Sequence, residues 1–214
     1  MRACRELSTF DRMRKNVPFR WKSRDGALLV SSLLLASASV QAEGTKEWSL
    51  TGYVGRITTV PAWHDIFTQP TELEFADAYL ATVALSHVLG RYFDDDLGLE
   101  AEGQVVYNFG DQSHWELNAL LNARWHRFPW NATVETTLAF GGGLSWATEV
   151  PEVEVELEGA SEQLLVYWHL EMTFTRPGSR WAGTLRLHHR SGAFGLLADE
   201  GGMNALCLGL TRRF

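Results

Sequence analysis

From His114 to His126 the chain alternates strictly, with Trp115, Leu117, Ala119, Leu121, Ala123 and Trp125 on one parity and Glu116, Asn118, Asn122 and Arg124 on the other. A period of two puts successive side chains on opposite faces of a strand, so one face here is apolar and the other charged. Seven more segments show the same pattern: 47–57, 73–89, 97–108, 133–147, 163–175, 180–191 and 203–214. Each is long enough to cross a tilted bilayer, which takes about 9 to 11 residues. The predicted fold is all-β: an eight-stranded, antiparallel, up-and-down transmembrane β-barrel spanning residues 43–214, whose apolar content escapes an averaged hydropathy because it alternates.

The connections support that reading. Short turns fall at 91–96, 128–132 and 176–179, with Pro129 and Pro177 where no ladder hydrogen bond is lost. Longer loops fall at 58–72, 148–162 and 192–202, with a shorter one near 109–113. In outer-membrane barrels the short turns are periplasmic and the long loops extracellular, so both termini are expected in the periplasm. Trp48, Trp125, Trp130 and Trp181 gather at one end of the segments and Tyr107, Trp115 and Trp146 at the other, as rings at two lipid headgroup levels would. Eight strands leave an interior that side chains fill. Glu100, Glu102, Glu116, Glu171, Arg124 and Arg186 are therefore expected to form a packed inward network rather than a channel. The run 149–158 alternates acid with apolar residues and reads as a strand extension or a solvated loop.

Residues 1–42 have the form of a cleaved signal peptide: eight basic side chains, an apolar run from Ala27 to Val40, and a Val40-Gln41-Ala42 end. Without them 11 basic side chains face 23 acidic ones, a net charge of −12, which excludes the concentrated basic surface that a nucleic-acid partner requires. Cys4 leaves with that segment, so Cys207 has no intrachain partner and reads as a small strand residue. No spacing for a metal or cofactor is present.

The seventh segment departs from the lipid-facing rule. Parity sends His188 inward and His189 and Ser191 outward, where apolar side chains are expected. Residues i and i+2 of a strand lie about 6.6 Å apart, near enough for an imidazole to reach a hydroxyl and activate it as a nucleophile. On the last segment Leu206, Leu208 and Leu210 define the outward parity and carry Asn204 with them. Three polar side chains thus meet on the outer wall as nucleophile, base and orienter.

The His-x-Ser motif His189-Arg190-Ser191 ending the penultimate strand, the glycine-rich last loop and the short final strand resemble the lipid A 3-O-deacylases, the PagL-like outer-membrane barrels of acyloxyacyl-hydrolase type. The likeness of architecture covers the mature chain, and the motif covers its last 30 or so residues. The resemblance implies an esterase of the bacterial outer membrane. It would remove an ester-linked acyl chain at position 3 of lipid A of lipopolysaccharide, with Ser191 and His189 catalytic and no cofactor. The family's glutamate position falls on Asn204, with Glu200 as an alternative orienter, and the family's asparagine after the serine falls on Gly192. The oxyanion hole is then left to backbone N–H groups from Gly192 to Gly195. A homodimer in the membrane is compatible with this reading. Two other functions compete. A non-enzymatic barrel with an envelope-structural or adhesive role tolerates polar rim residues at a cost of only about 0–1 kcal/mol. An acyltransferase would need an acyl pocket inside the barrel, where the expected charges leave little room.

Overall fold

A computed structural model describes residues 47–60 and 62–214; the expected signal segment 1–42 and Cys4 lie outside the described residues. The strands are β1 (Trp48–Thr58), β2 (Phe75–Tyr92), β3 (Leu97–Gly110), β4 (His114–Trp125), β5 (Glu135–Ala147), β6 (Leu164–Thr175), β7 (Trp181–Ser191) and β8 (Gly202–Arg213). Each pairs antiparallel with its sequence neighbours, and β8 pairs with β1 from Ser49↔Arg213 to Thr58↔Asn204, closing the sheet. Eight strands in an up-and-down barrel are what the alternation requires. β2 runs on to Tyr92 rather than ending near Leu89. Its turn is made by Phe93, Asp94 and Asp95 in left-handed conformation (φ 56°, 53°, 68°), so pairing continues to Tyr92↔Leu97.

Alternation is kept as burial. Along β4, His114, Glu116, Asn118, Leu120, Asn122 and Arg124 are buried, and the residues between them are exposed. The exposed set around the barrel includes Val54, Leu85, Val105, Leu121, Phe140, Leu144, Leu185, Leu208 and Leu210. Polar residues inside and a wide apolar band outside invert the arrangement of a protein surrounded by water.

Five of the inward charges, Glu100, Arg124, Glu171, Arg186 and Glu102, form one connected chain. Arg124 grips Glu100 with Nε (2.8 Å) and Nη2 (3.0 Å) and reaches Glu171 with Nη1 (2.9 Å). Arg186 donates to the other oxygen of Glu171 through Nε (2.8 Å) and to Glu102 through Nη1 (2.7 Å), with its guanidinium 4.8 Å from the Tyr53 ring centre. Ser86, Gln104 and Asn122 donate to Glu102 at 2.7, 2.7 and 3.0 Å. Glu102 thus has several donors as well as Arg186, as a charge removed from water needs. β5 makes room for this filling with glycine: a β-carbon at Gly141 would sit 2.0 Å from Asn122 Oδ1.

Residues 149–158 correct the sequence reading. Instead of extending a strand or lying solvated, they include α2 (Glu152–Glu158), a helix over the long-loop end of the barrel; the first long loop carries a shorter helix, α1 (Asp65–Thr68). Val153 is buried in α2 against the cluster of Ile57, Leu80, Val106 and Met203, with Leu157 packed beside it. These two apolar residues are four apart and share one helical face. Glu154 is fully buried; Arg190 Nη1 lies 3.0 Å from it and Ser161 Oγ donates to it at 2.5 Å. Burial raises the Glu154 carboxyl above its ordinary value, and the Arg190 guanidinium opposes that shift.

Replacing Arg186 with Met leaves Glu102 and Glu171 buried without their shared cation. The expected destabilisation is about 3–5 kcal/mol, measured by urea unfolding of the barrel in lipid vesicles; an unchanged midpoint would mean that the network carries no stability.

Candidate active site

At the long-loop end of β7 neighbouring residues divide between two environments. His188 and Arg190 point inward and are fully buried. Arg190 Nη1 lies 3.0 Å from Glu154 and 3.4 Å from Glu116, and its Nη2 donates to the carbonyl of Gln163 at 3.2 Å. This anchors the strand from within. His189 and Ser191 take the outward parity. Strand register then aligns Trp168 on β6, His189 on β7, Asn204 on β8 and Thr58 on β1 in one row.

Within that row His189 Nδ1 and Asn204 Oδ1 are 2.7 Å apart. The amide of Asn204 is oriented by its other end, since Nδ2 donates to the carbonyl of Val60 at 3.1 Å. Oδ1 therefore accepts and Nδ1–H donates, which places the lone pair of the neutral ring on Nε2. Thr58 Oγ1 donates to the Asn204 carbonyl at 3.3 Å, tying the orienting residue to β1. The Trp168 ring packs against the imidazole at 4.4 Å and 37°.

Ser191 lies two rows nearer the long loops, opposite Val166 on β6 and Gly202 on β8. Its side chain is partly exposed, and its hydroxyl bonds to none of the described residues, His189 included. Gly202 has φ +147°, and a β-carbon there would lie 2.4 Å from the Arg190 carbonyl. The backbones of β7 and β8 are thus in close contact beside the serine.

The last loop differs from the sequence reading at Gly192. Its N–H donates to the Gly201 carbonyl at 3.2 Å, so it is not available to an oxyanion: the closing of the 192–201 loop consumes it. Ala193, Phe194 and Gly195 follow in left-handed conformation (φ 53°, 56°, 84°). The N–H groups of these three bond to none of the described residues, leaving Gly195 as a candidate donor and adding Ala193 and Phe194. Nothing in their side chains signals this, because the property belongs to the turn. Glu200 directs its carboxylate to the end of α2, where Oε2 is 3.4 Å from the place a Gly159 β-carbon would take; Asn204, not Glu200, holds His189.

Two residues that the sequence reading did not single out belong to the site. Trp168 has the outward parity of an ordinary lipid-facing residue. Trp63, from the loop between β1 and β2, stands edge-on to Trp168 at 5.4 Å and 88°. His64, in the same loop, lies 3.4 Å from Asp65. Among the described residues no group of three or more His, Cys, Asp or Glu is arranged to hold a metal ion.

No protein-family model matches the chain, and no curated protein matches its sequence. Solved structures do resemble it. The outer-membrane enzyme PagL aligns with a TM-score of 0.53 at 10% identity, covering 78% of this chain and 99% of PagL. Neisserial surface protein A aligns with a TM-score of 0.47 at 9% identity, covering 80% of this chain and 100% of that one. A de novo designed transmembrane β-barrel aligns at 0.46 and 10%, covering 81% and 100%. At such identities the likeness to PagL is one of fold.

The Asn204 hydrogen bond makes a direct spectroscopic prediction. In ¹⁵N spectra of the neutral imidazole, His189 is expected to show a protonated Nδ1 and an unprotonated Nε2, and Asn204→Ala to give a mixture of tautomers. A wild-type ring protonated on Nε2 would overturn the assignment.

Proposed function

We propose that this protein is an outer-membrane esterase that removes an ester-linked acyl chain from lipid A, with Ser191 as nucleophile and His189 as base. The observation that carries the reading is the 2.7 Å contact between His189 Nδ1 and Asn204 Oδ1, which leaves Nε2 free to accept a proton on an apolar outer wall. The resemblance in the His189-Arg190-Ser191 motif points to the ester at position 3 of the lipid A sugar.

In this reading the barrel sits in the outer membrane with both termini periplasmic and the long loops outside. The end of β7 is then level with the outer leaflet, and the lipid reaches it laterally. His189 Nε2 takes the Ser191 hydroxyl proton as Oγ attacks the acyl carbonyl. The oxyanion is met by N–H groups of the Ala193–Gly195 turn. Collapse breaks the bond to the sugar oxygen, which leaves with the proton from His189. Water, deprotonated by the same ring, then releases the acyl chain from Ser191 as a fatty acid. Asn204 holds the ring in the reactive tautomer throughout.

One observation favours the other reading, a barrel without activity: the Ser191 hydroxyl shares no hydrogen bond with His189. Catalytic hydrogen bonds often tighten only when substrate is bound, so an open Ser191–His189 pair is compatible with the esterase. Mass spectrometry of lipid A from cells producing the protein tests it. Wild type is expected to remove one hydroxyacyl mass, and Ser191→Ala or His189→Ala to lower the rate by about 10³-fold or more. Lipid A unchanged by wild type would sink the esterase.

A further inference from the structure

His189 stands on the outer wall, yet only 8% of its surface is exposed. Trp168 packs against one side of the ring, and Trp63 comes in from the β1–β2 loop to stand against Trp168. Trp63 thus meets β6, which is three strands away from β1 around the closed barrel. The Val60 carbonyl in the same loop accepts from Asn204 Nδ2, so the loop is tied to the residue that orients the base.

From Ala62 to Gln69 the backbone bonds are local: Asp65 N to the Ala62 carbonyl, Phe67 N and Thr68 N to His64, and Gln69 N to Asp65. The loop's neck is drawn together by Thr59 N donating to the Glu74 carbonyl at 3.0 Å. Trp63 and Phe67 are both exposed, and so are Phe140, Leu144 and Leu164 on the neighbouring wall. Phe140 lies 5.9 Å from Trp168. Trp63, Trp168 and Phe140 therefore form one aromatic row that runs into the apolar band of the barrel.

Resting on the esterase reading of Ser191 and His189, we propose that Trp63 sets substrate specificity: an acyl chain of a lipid in the surrounding leaflet displaces its indole and lies along Trp168 and Phe140. A long chain replaces the lost aromatic contact with many methylene contacts, each buried methylene being favourable, so the exchange costs it little. A short chain covers too little of Trp168 to offset that loss. The loop thus selects for length and covers His189 between turnovers.

The test uses the full barrel in dimyristoylphosphatidylcholine vesicles and two readouts. The first is independent of activity: the rate at which diethyl pyrocarbonate modifies His189, followed by peptide mass spectrometry. Trp63→Ala is expected to raise that rate about three- to tenfold, the equivalent of one aromatic contact, with Trp63→Phe in between. The second is hydrolysis of p-nitrophenyl butyrate against p-nitrophenyl myristate. Trp63→Ala is expected to raise kcat/KM for the butyrate by a similar factor and leave the myristate nearly unchanged. Equal modification rates in wild type and Trp63→Ala overturn the cover, and an unchanged butyrate-to-myristate ratio overturns the specificity role. Faster modification in a protein that hydrolyses neither ester supports the cover but overturns the esterase reading, and the substrate assignment with it.

Discussion

The pairing of β8 with β1 is the constraint on which the rest of this molecule depends. An open eight-stranded sheet would leave two unpaired edges and would let a strand slip by one residue, exchanging its two faces. Closure removes both freedoms. With the ring shut, every strand residue belongs either to the lumen or to the outer wall, and the cross-strand rows become fixed neighbourhoods. The salt-bridged chain from Glu100 to Glu102 lies in one set of rows, and the row of Trp168, His189, Asn204 and Thr58 in the other.

Filling the lumen is the second requirement that closure imposes. Two arginines shared among three glutamates form a line through the interior, supplemented by neutral donors. Such a network is expensive to assemble from hydrated charges and very sensitive to the loss of one member. The Arg190, Glu154 and Glu116 group works in the same way at the long-loop end. It fastens α2 over the barrel mouth and secures, from the inside, the part of β7 whose outer face carries His189 and Ser191.

The strands were legible because period two is a property of each segment alone, and parity sufficed to bring Asn204 to the face of His189. What could not be read depends on contacts between distant segments. The run Glu152–Glu158 satisfies both a strand period and an i, i+4 apolar pair, and only burial of Val153 and Leu157 against Ile57, Leu80 and Met203 decides for helix. Trp63 meets Trp168 across more than a hundred residues, so no local pattern announces the aromatic row beside His189. Gly192 carries an N–H in the expected place, but the return of the loop to Gly201 uses it. Asn204 was legible by position, whereas its tautomer-setting role follows from the Val60 carbonyl, which has no sequence signature.

The division of β7 has an evolutionary consequence. His188 and Arg190 are bound to the lumen, where each neighbour limits what can replace them; His189 and Ser191 face outward, away from those partners. Adjacent positions in one strand can therefore drift on separate clocks, the inward pair paced by the persistence of the barrel and the outward pair by what the outer wall meets. A lineage could lose or remodel its outward chemistry while keeping the same ring of strands, and comparison of whole sequences would average the two histories into one uninformative distance.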